Sequence, residues 1–325
     1  MPAKVGIPRS LSYYQLFPLW KTFFEEMGAE LVVSGPTTKK ILDDGVKCCV
    51  DEACLPVKLF HGHVADIKDR VDYLFIPRLT SISKGEYICP KFGGLPDMVR
   101  TSLHGLPEII STEINLRKNK RNSLKAAMEI GHYFTDKDSQ IKSAYKKAVG
   151  CYNLVKDNFE KGYIPDFIRP GKTAETKSLE KDRNLNIALV GHTYNIYDSF
   201  VNMNIWRKLE NKNANIITIE MVDEKAINRN ARQLPKKIFW NYGRKAVGSA
   251  MHLLNEKNLD GVIYVMSFGC GIDSFVCDLV ERRIRRTTDL PFIVITLDEH
   301  SGEAGLDTRL EAFIDMVRWR CTDKK

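Results

Sequence analysis

Short β-branched runs alternate with longer segments of helical periodicity, and the alternation starts afresh in the second half of the chain. The first half offers strands at Lys4–Ile7, Glu30–Val33, Val46–Val50, Tyr73–Ile76 and Glu108–Ser111, with helices over Tyr13–Met27 and Val57–Ile67. The second half offers strands at Asn186–Val190, Asn215–Ile219, Gly261–Met266 and Phe292–Thr296. Its helices are expected at Ser199–Glu210, Phe239–Asn255, Asp273–Arg285 and Thr308–Arg320. Strands alternating with helices of about 10–15 residues specify βαβ units and a parallel sheet. Two such series predict an α/β protein with two doubly wound parallel-sheet domains, at 1–112 and 185–325.

Residues 113–184 read differently. Ser123–Phe134 and Gln140–Asn158 have helical spacing and abundant Lys, and Ile164–Asn184 is polar and punctuated by Pro and Gly. A helical connector followed by a linker is expected. This stretch holds 16 Lys+Arg against 10 Asp+Glu, most of the excess behind the formal net charge of +8. The excess therefore reads as a solvated helix face, and no zinc-finger, ribonucleoprotein or helix-turn-helix pattern argues for nucleic acid. At 325 residues and 43% hydrophobic, the composition is that of a folded globular chain. No run of about 18 apolar residues offers a membrane span. The first residues lack the apolar core of a secretory signal, so a cytoplasmic protein is expected.

Ligands of open parallel sheets bind beyond the carboxyl ends of the strands. The segments after the expected strands are Pro8-Arg9-Ser10, Asp51 to Pro56, Pro77-Arg78 leading to Lys91, Gly191 to Asn195, Ser267 to Gly271, and Asp298-Glu299-His300. Three of the eight cysteines fall there: Cys54, Cys89 and Cys270. In a reducing cytosol eight cysteines are not a disulfide framework. Cys54 precedes Leu55-Pro56, and Pro suits the first turn of a helix, whose dipole favours a thiolate. Cys89 is followed by Pro90-Lys91. Cys270 lies between Gly269 and Gly271, just before Asp273-Ser274, a helix N-cap signal. Thiolates are ligands for zinc and for iron–sulfur clusters. Neither the paired spacing of small zinc modules nor the tight cysteine run of bacterial ferredoxins occurs. A cluster held by widely separated cysteines facing one cleft fits better, and three ordinary loop cysteines remain the alternative.

Cys48, Cys49 and Cys277 are secondary ligand candidates, with core packing the favoured reading of each; Cys151 and Cys321 read as structural. His61 and His63, two apart on a helix, point to different sides and suit packing better than a shared metal. His192 and His300 stand at strand ends as proton donors. Asp298, Glu299 and Glu303 with His300 make an acidic loop, either metal-binding or hydrogen-bonded. No Walker A, Gly-x-Gly-x-x-Gly or Gly-x-Ser-x-Gly motif is present.

Gly6-Ile7-Pro8-Arg9 with Tyr14, Pro18, Trp20 and Phe23-Phe24, then Cys54 to Leu59 with His61-Gly62-His63, and Tyr87 to Phe92 resemble the 2-hydroxyacyl-CoA dehydratase and activase-related proteins. So do Phe268 to Ser274, Asp298 to Gly305 and Thr308 to Phe313. The similarity spans nearly both domains and is strongest to stand-alone, activase-associated proteins of anaerobic bacteria. It implies two flavodoxin-like domains and an oxygen-sensitive [4Fe-4S] cluster in the cleft, held by Cys54, Cys89 and Cys270 with one iron site open. A double-cubane [8Fe-9S] cluster, as in related proteins, would recruit Cys48, Cys49 and Cys277. The partner implied is a separate ATP-hydrolysing activase with its own [4Fe-4S] cluster.

The resulting expectation is an iron–sulfur redox protein that accepts low-potential electrons from that activase. It then reduces a small-molecule or acyl-CoA substrate or passes the electron on. Arg9, Arg78 and Lys91 would offset the cluster's charge, and His192, Tyr194 and His300 would deliver protons. The alternatives are a noncatalytic cluster carrier docking on an activase or dehydratase, and an α/β binding protein whose cleft takes an anion or CoA. Homo- or hetero-oligomers are compatible with each.

Overall fold

In the computed structural model, residues 1–169, 185–255 and 258–323 are described. From residue 170 onward the expected linker lies outside the described residues. The chain divides into two units, 1–155 with 239–241, and 156–238 with 242–325. The division falls inside the second of the two connector helices.

The first unit runs β1 (Lys4–Ile7), α1 (Tyr13–Glu26), β2 (Glu30–Val33), α2 (Lys39–Cys48), α3 (Leu55–Ile67), β3 (Tyr73–Phe75), β4 (Arg78–Ser81), α4 (Pro90–Ser102), β5 (Glu108–Ile110) and β6 (Glu113–Asn115). Helices α5 (Asn122–Gly131) and α6 (Asp138–Glu160) follow. The main sheet has the order β2-β1-β3-β5, all parallel, with Val5 beside both Leu31 and Tyr73. Strands β4 and β6 form a separate parallel pair. Val5, Ile7, Leu74 and Ile110 are fully buried, and Phe75 meets Trp20 and Phe24 edge-on at 5.3 and 4.9 Å.

The second unit runs β7 (Leu185–Gly191), α7 (Thr193–Tyr197), α8 (Ile205–Asn211), β8 (Ala214–Thr218), α9 (Glu224–Ala231), α10 (Asn241–Asn255), β9 (Gly261–Ser267), α11 (Gly271–Thr287), β10 (Phe292–Leu297) and α12 (Glu303–Asp323). Its sheet has the order β10-β9-β7-β8, again all parallel. Strands β7 and β9 are almost wholly buried, as a central strand covered on both faces must be. Both units are doubly wound α/β sheets, and in each the strand order reverses beside the first strand: between β1 and β3, and between β7 and β9.

Three expectations change. Val46–Val50 is not a strand, because residues 39–48 form α2. Thr38 caps this helix by accepting the Ile41 N–H, and Lys39–Asp43 and Lys40–Asp44 pair one turn apart. Val50 is 57% exposed, which no central strand residue could be. Cys48 and Cys49 therefore end a helix, and Cys54 lies in a helix–helix loop instead of at a strand end. The single helix expected over Ser199–Glu210 begins only at Ile205. Met203 and Asn204 have φ of 52° and 57°, and the Asp198 carboxylate accepts the N–H groups of Phe200 and Val201, forming a turn. The N-cap of α11 is Cys270 itself, and Asp273 lies inside the first turn. The lysine-rich connector is helical, and pairs such as Lys125–Glu129 and Lys142–Asp138 sit on exposed faces.

Helices α2 and α3 cross backbone to backbone. A Cβ on Gly62 would lie 1.9 Å from the Ile41 carbonyl oxygen, and one on Gly45 would lie 2.1 Å from that of Lys58. Gly62→Ala is therefore expected to lower the unfolding free energy by about 1–3 kcal/mol. Gly94→Ala, in α4 with open space around it, should be neutral or stabilising by roughly 0.5–1 kcal/mol. Urea denaturation of the two variants checks this, and an equal loss in both would contradict the close crossing.

Candidate functional site

In the first unit, Cys54 and Cys89 occupy equivalent positions. Each is the N-cap of a helix, α3 or α4, with Pro56 or Pro90 in the first turn. The backbone carbonyl of each accepts from the helix behind it: Cys54 from Val57 N–H at 2.9 Å, Cys89 from Phe92 N–H at 3.0 Å. Neither side chain is used as a cap. A sulfur held there lies at the positive end of a helix dipole, and the Lys91 backbone N–H reaches that of Cys89. The β1–α1 loop touches the same place, where the Ser10 hydroxyl donates to the Pro56 carbonyl at 3.4 Å.

Burial pushes the Cys89 thiol up in pKa, the Lys91 backbone N–H draws it back, and the charge of Cys54 adds to the rise. Burial also raises Cys49, with Lys58 and Lys91 opposing and Cys54 adding. Cys49, Cys54 and Cys89 thus share one electrostatic neighbourhood with two lysines. Lys58 is only 4% exposed. It lies four residues, one helical turn, after Cys54, a spacing that could have marked it in the sequence.

Of the other expected residues in this unit, Arg78 is committed to α4. Its guanidinium donates to Gly93 O at 2.6 Å and to the two Asp97 carboxylate oxygens at 2.7 and 3.0 Å. These bonds hold a helix that Gly93-Gly94 and Pro96 would otherwise weaken. The Arg9 backbone N–H donates to Ser34 Oγ, and its guanidinium lies 5.7 Å from the Tyr13 ring centre. His61 and His63 do pack separately. His61 Nδ1 lies 2.8 Å from Val57 O, while the His63 ring bridges Ser34 Oγ at 2.9 Å and Thr37 Oγ1 at 3.0 Å.

In the second unit, His192 follows directly on β7 and Cys270 follows β9, so both flank the point where the strand order reverses. Strands β7 and β9 approach closely there, since a Cβ on Gly191 would lie 2.2 Å from Val265 O. One nitrogen of His192, the Cys270 sulfur and a carboxylate oxygen of Asp273 lie within 4.8 Å of one another. Among the described residues this is the one group of three or more such side chains with ligand atoms so close. The His192 ring stacks on Tyr194 at 5.1 Å and meets Tyr242 edge-on at 5.3 Å. Asp273 is 1% exposed. Its Oδ1 accepts the Tyr264 hydroxyl at 2.6 Å and lies 3.9 Å from His192 Nε2, while its Oδ2 has no hydrogen-bond partner. Burial raises the Asp273 carboxyl above the usual carboxylate range, against the pull of His192. In sequence Asp273 reads as a capping signal; its place in this group depends on a buried turn that local sequence does not display.

His300 is exposed, in a loop closed by its own hydrogen bonds: Asp298 accepts the His300 N–H at 2.7 Å, and Ser301 Oγ accepts the Asp298 N–H at 2.9 Å. Glu303 pairs with Lys208 at 2.8 Å. Cys277 packs in the hydrophobic core, where burial above all pushes its thiol up to about 12. Cys48 is half-buried at the end of α2, and all eight cysteines are free thiols.

A family described as the CoA enzyme activase uncharacterised domain (DUF2229) matches residues 4–222, well over half of the 325. The chain belongs to this family. Residues 199–317 match a second family, the 2-hydroxyglutaryl-CoA dehydratase D-component. That match includes His300, Cys270 and Asp273, whereas Cys54, Cys89 and His192 lie in the first. No curated protein matches the chain. No helix among the described residues is long and apolar enough to cross a membrane.

Burial above all, and then the charge of Arg9, lower His63 from 6.5 to about 3. Between those values the unfolded chain binds a proton that the folded chain refuses, so stability falls as the pH falls through this window. The slope contributed is up to about 1.4 kcal/mol per pH unit. Urea denaturation from roughly pH 4 to 7 should show a shallower acid loss in His63→Gln than in the parent. An unchanged slope would remove His63 as its source.

Proposed function

We propose that this chain is an iron–sulfur redox protein that binds a [4Fe-4S]-type cluster through Cys54, Cys89 and Cys270 and receives electrons from an ATP-hydrolysing activase. The observation that carries the reading is positional: each of the three thiols is the N-cap of a helix. The donor chemistry suits the group. Thiolates are the ligands such clusters take, and at Cys89 the Lys91 backbone N–H and charge oppose the burial that raises the thiol. The match of residues 199–317 to a dehydratase component supports the same reading. When bound, such a cluster supplies one-electron transfer at a potential set by its charge, burial and hydrogen bonding.

The chain's own residues have distinct tasks. Cys54, Cys89 and Cys270 hold the group, and Lys58 and Lys91 offset its negative charge. Arg78 contributes less, because Asp97 already balances it. Arg9 stands beside this neighbourhood through the β1–α1 loop. His192, stacked on Tyr194, is the better sheltered proton donor, and His300 the more exposed one. A small-molecule or acyl-CoA substrate, or a dehydratase that takes the electron onward, would complete the system. Cys277, sunk in the core as an unactivated thiol, favours a single cubane over a double one.

Anaerobic purification with iron and sulfide analysis tests the proposal. About four irons per chain are expected, falling sharply in Cys54→Ala and Cys89→Ala but not in Cys151→Ala. About eight irons would replace the single cubane by the double one. No iron after anaerobic reconstitution would overturn the cluster. ATP-dependent bleaching of its absorbance by a candidate activase tests the electron source, and an unchanged spectrum rejects that partner.

A further inference from the structure

The second unit carries a mixed nitrogen, oxygen and sulfur donor set with one buried carboxylate oxygen left without a partner. We propose that His192, Cys270 and Asp273 form a mononuclear site for a divalent transition metal of the zinc or cobalt class, assembled without any residue of the first unit. The proposal goes beyond the cluster reading and shares only Cys270 with it.

Geometry comes first. Ligand atoms about 2.0–2.3 Å from a tetrahedral ion sit roughly 3.3–3.7 Å apart. The three here already lie within 4.8 Å, so rotamer adjustments of about an ångström close the set. The backbone is fixed where it matters. Gly191 sets β7 against β9 just before His192, and Cys270 and Asp273 share the first turn of α11. The side chains are held as metal ligands usually are, by partners on their far sides. The Tyr264 hydroxyl fixes Asp273 Oδ1 and leaves Oδ2 as the available donor. Tyr194 and Tyr242 clamp the His192 ring.

Charge argues the same way. An unpartnered carboxylate oxygen at 1% exposure is costly in a protein interior. A dication against one carboxylate, one thiolate and a neutral imidazole leaves no net charge in the pocket. On binding, the Cys270 thiol releases its proton to solvent, with no redox change. A His–Asp ion pair at 3.9 Å is the competing use of the same residues, but it leaves Asp273 Oδ2 without a partner. Three protein ligands on a tetrahedral ion leave one position for water or a substrate oxygen.

The test is a Co²⁺ titration of the full chain, stripped of metal with a chelator and kept anaerobic, followed by the thiolate-to-cobalt charge-transfer and visible d–d bands. One Co²⁺ per chain is expected. Cys270→Ser should lose the charge-transfer band, and His192→Gln and Asp273→Asn should each bind roughly tenfold more weakly or worse. Cys54→Ser/Cys89→Ser should titrate like the parent. Equal affinity in His192→Gln and Asp273→Asn would overturn the site, as would loss of binding in Cys54→Ser/Cys89→Ser. Should the single variants fail to fold, X-ray absorption at the cobalt edge of the parent decides: one sulfur among nitrogen and oxygen neighbours supports the site, and an all-sulfur shell overturns it. Cys270 is common to both readings, so the two are told apart by the other residues: iron content on anaerobic reconstitution should fall in Cys54→Ala and Cys89→Ala, and cobalt affinity in His192→Gln and Asp273→Asn.

Discussion

A parallel sheet has a polarity that an antiparallel sheet lacks. Every strand ends at the same edge, so the helices that follow strands begin there with their N–H groups and dipoles pointing outward. Both sheets here are wholly parallel. That single constraint makes one edge of each unit electropositive in backbone alone, before any side chain is counted. An acidic donor such as a thiol gains most from a place on that edge. Cys270 occupies it directly, as the N-cap of α11 after β9, while Cys89 caps α4 after β4 of the separate parallel pair.

Cys54 reaches an equivalent position by another route. Its helix follows a helix, so the sheet alone does not place it. The close crossing of α2 and α3 at Gly45 and Gly62 does, because two backbones in contact leave little freedom to the loop between them. The same crossing puts Cys49 and Lys58 beside Cys54, as their mutual electrostatic influence shows. Side-chain volume at Gly62 is therefore a constraint on the thiols as well as on the fold.

What the sequence disclosed follows from range. Strands β1, β2, β7, β8, β9 and β10 were legible because their apolar runs are bounded by turn residues, and their alternation with helices was enough to give two doubly wound sheets. Helix α2 was misread because Val46, Val50 and two cysteines look β-branched or apolar, while the cap at Thr38 and the lysine–aspartate pairs lie upstream of the window. Helix α4 went unread because Gly93, Gly94 and Pro96 argue against it, and its support from Arg78 comes from another element. Cys54, Cys89 and Cys270 stood out by their Pro and Gly neighbours. Lys58 and Asp273 did not, since burial and a tyrosine nine residues away give them their significance.

The two units differ most in how their thiols are balanced. Around Cys49 and Cys89 the charges of Lys58 and Lys91 act against the burial that holds the thiols up. Beside Cys270 lie a buried carboxylate and an imidazole that packs against two tyrosines. A thiolate beside Asp273 would leave two negative charges with at most one positive among them, in a pocket where desolvation makes repulsion expensive. Either a proton stays in the pocket, on the sulfur or on the carboxyl that burial already raises, or a cation joins the group. A retained proton occupies a donor atom that a metal would need; a bound cation makes the carboxylate part of what holds it.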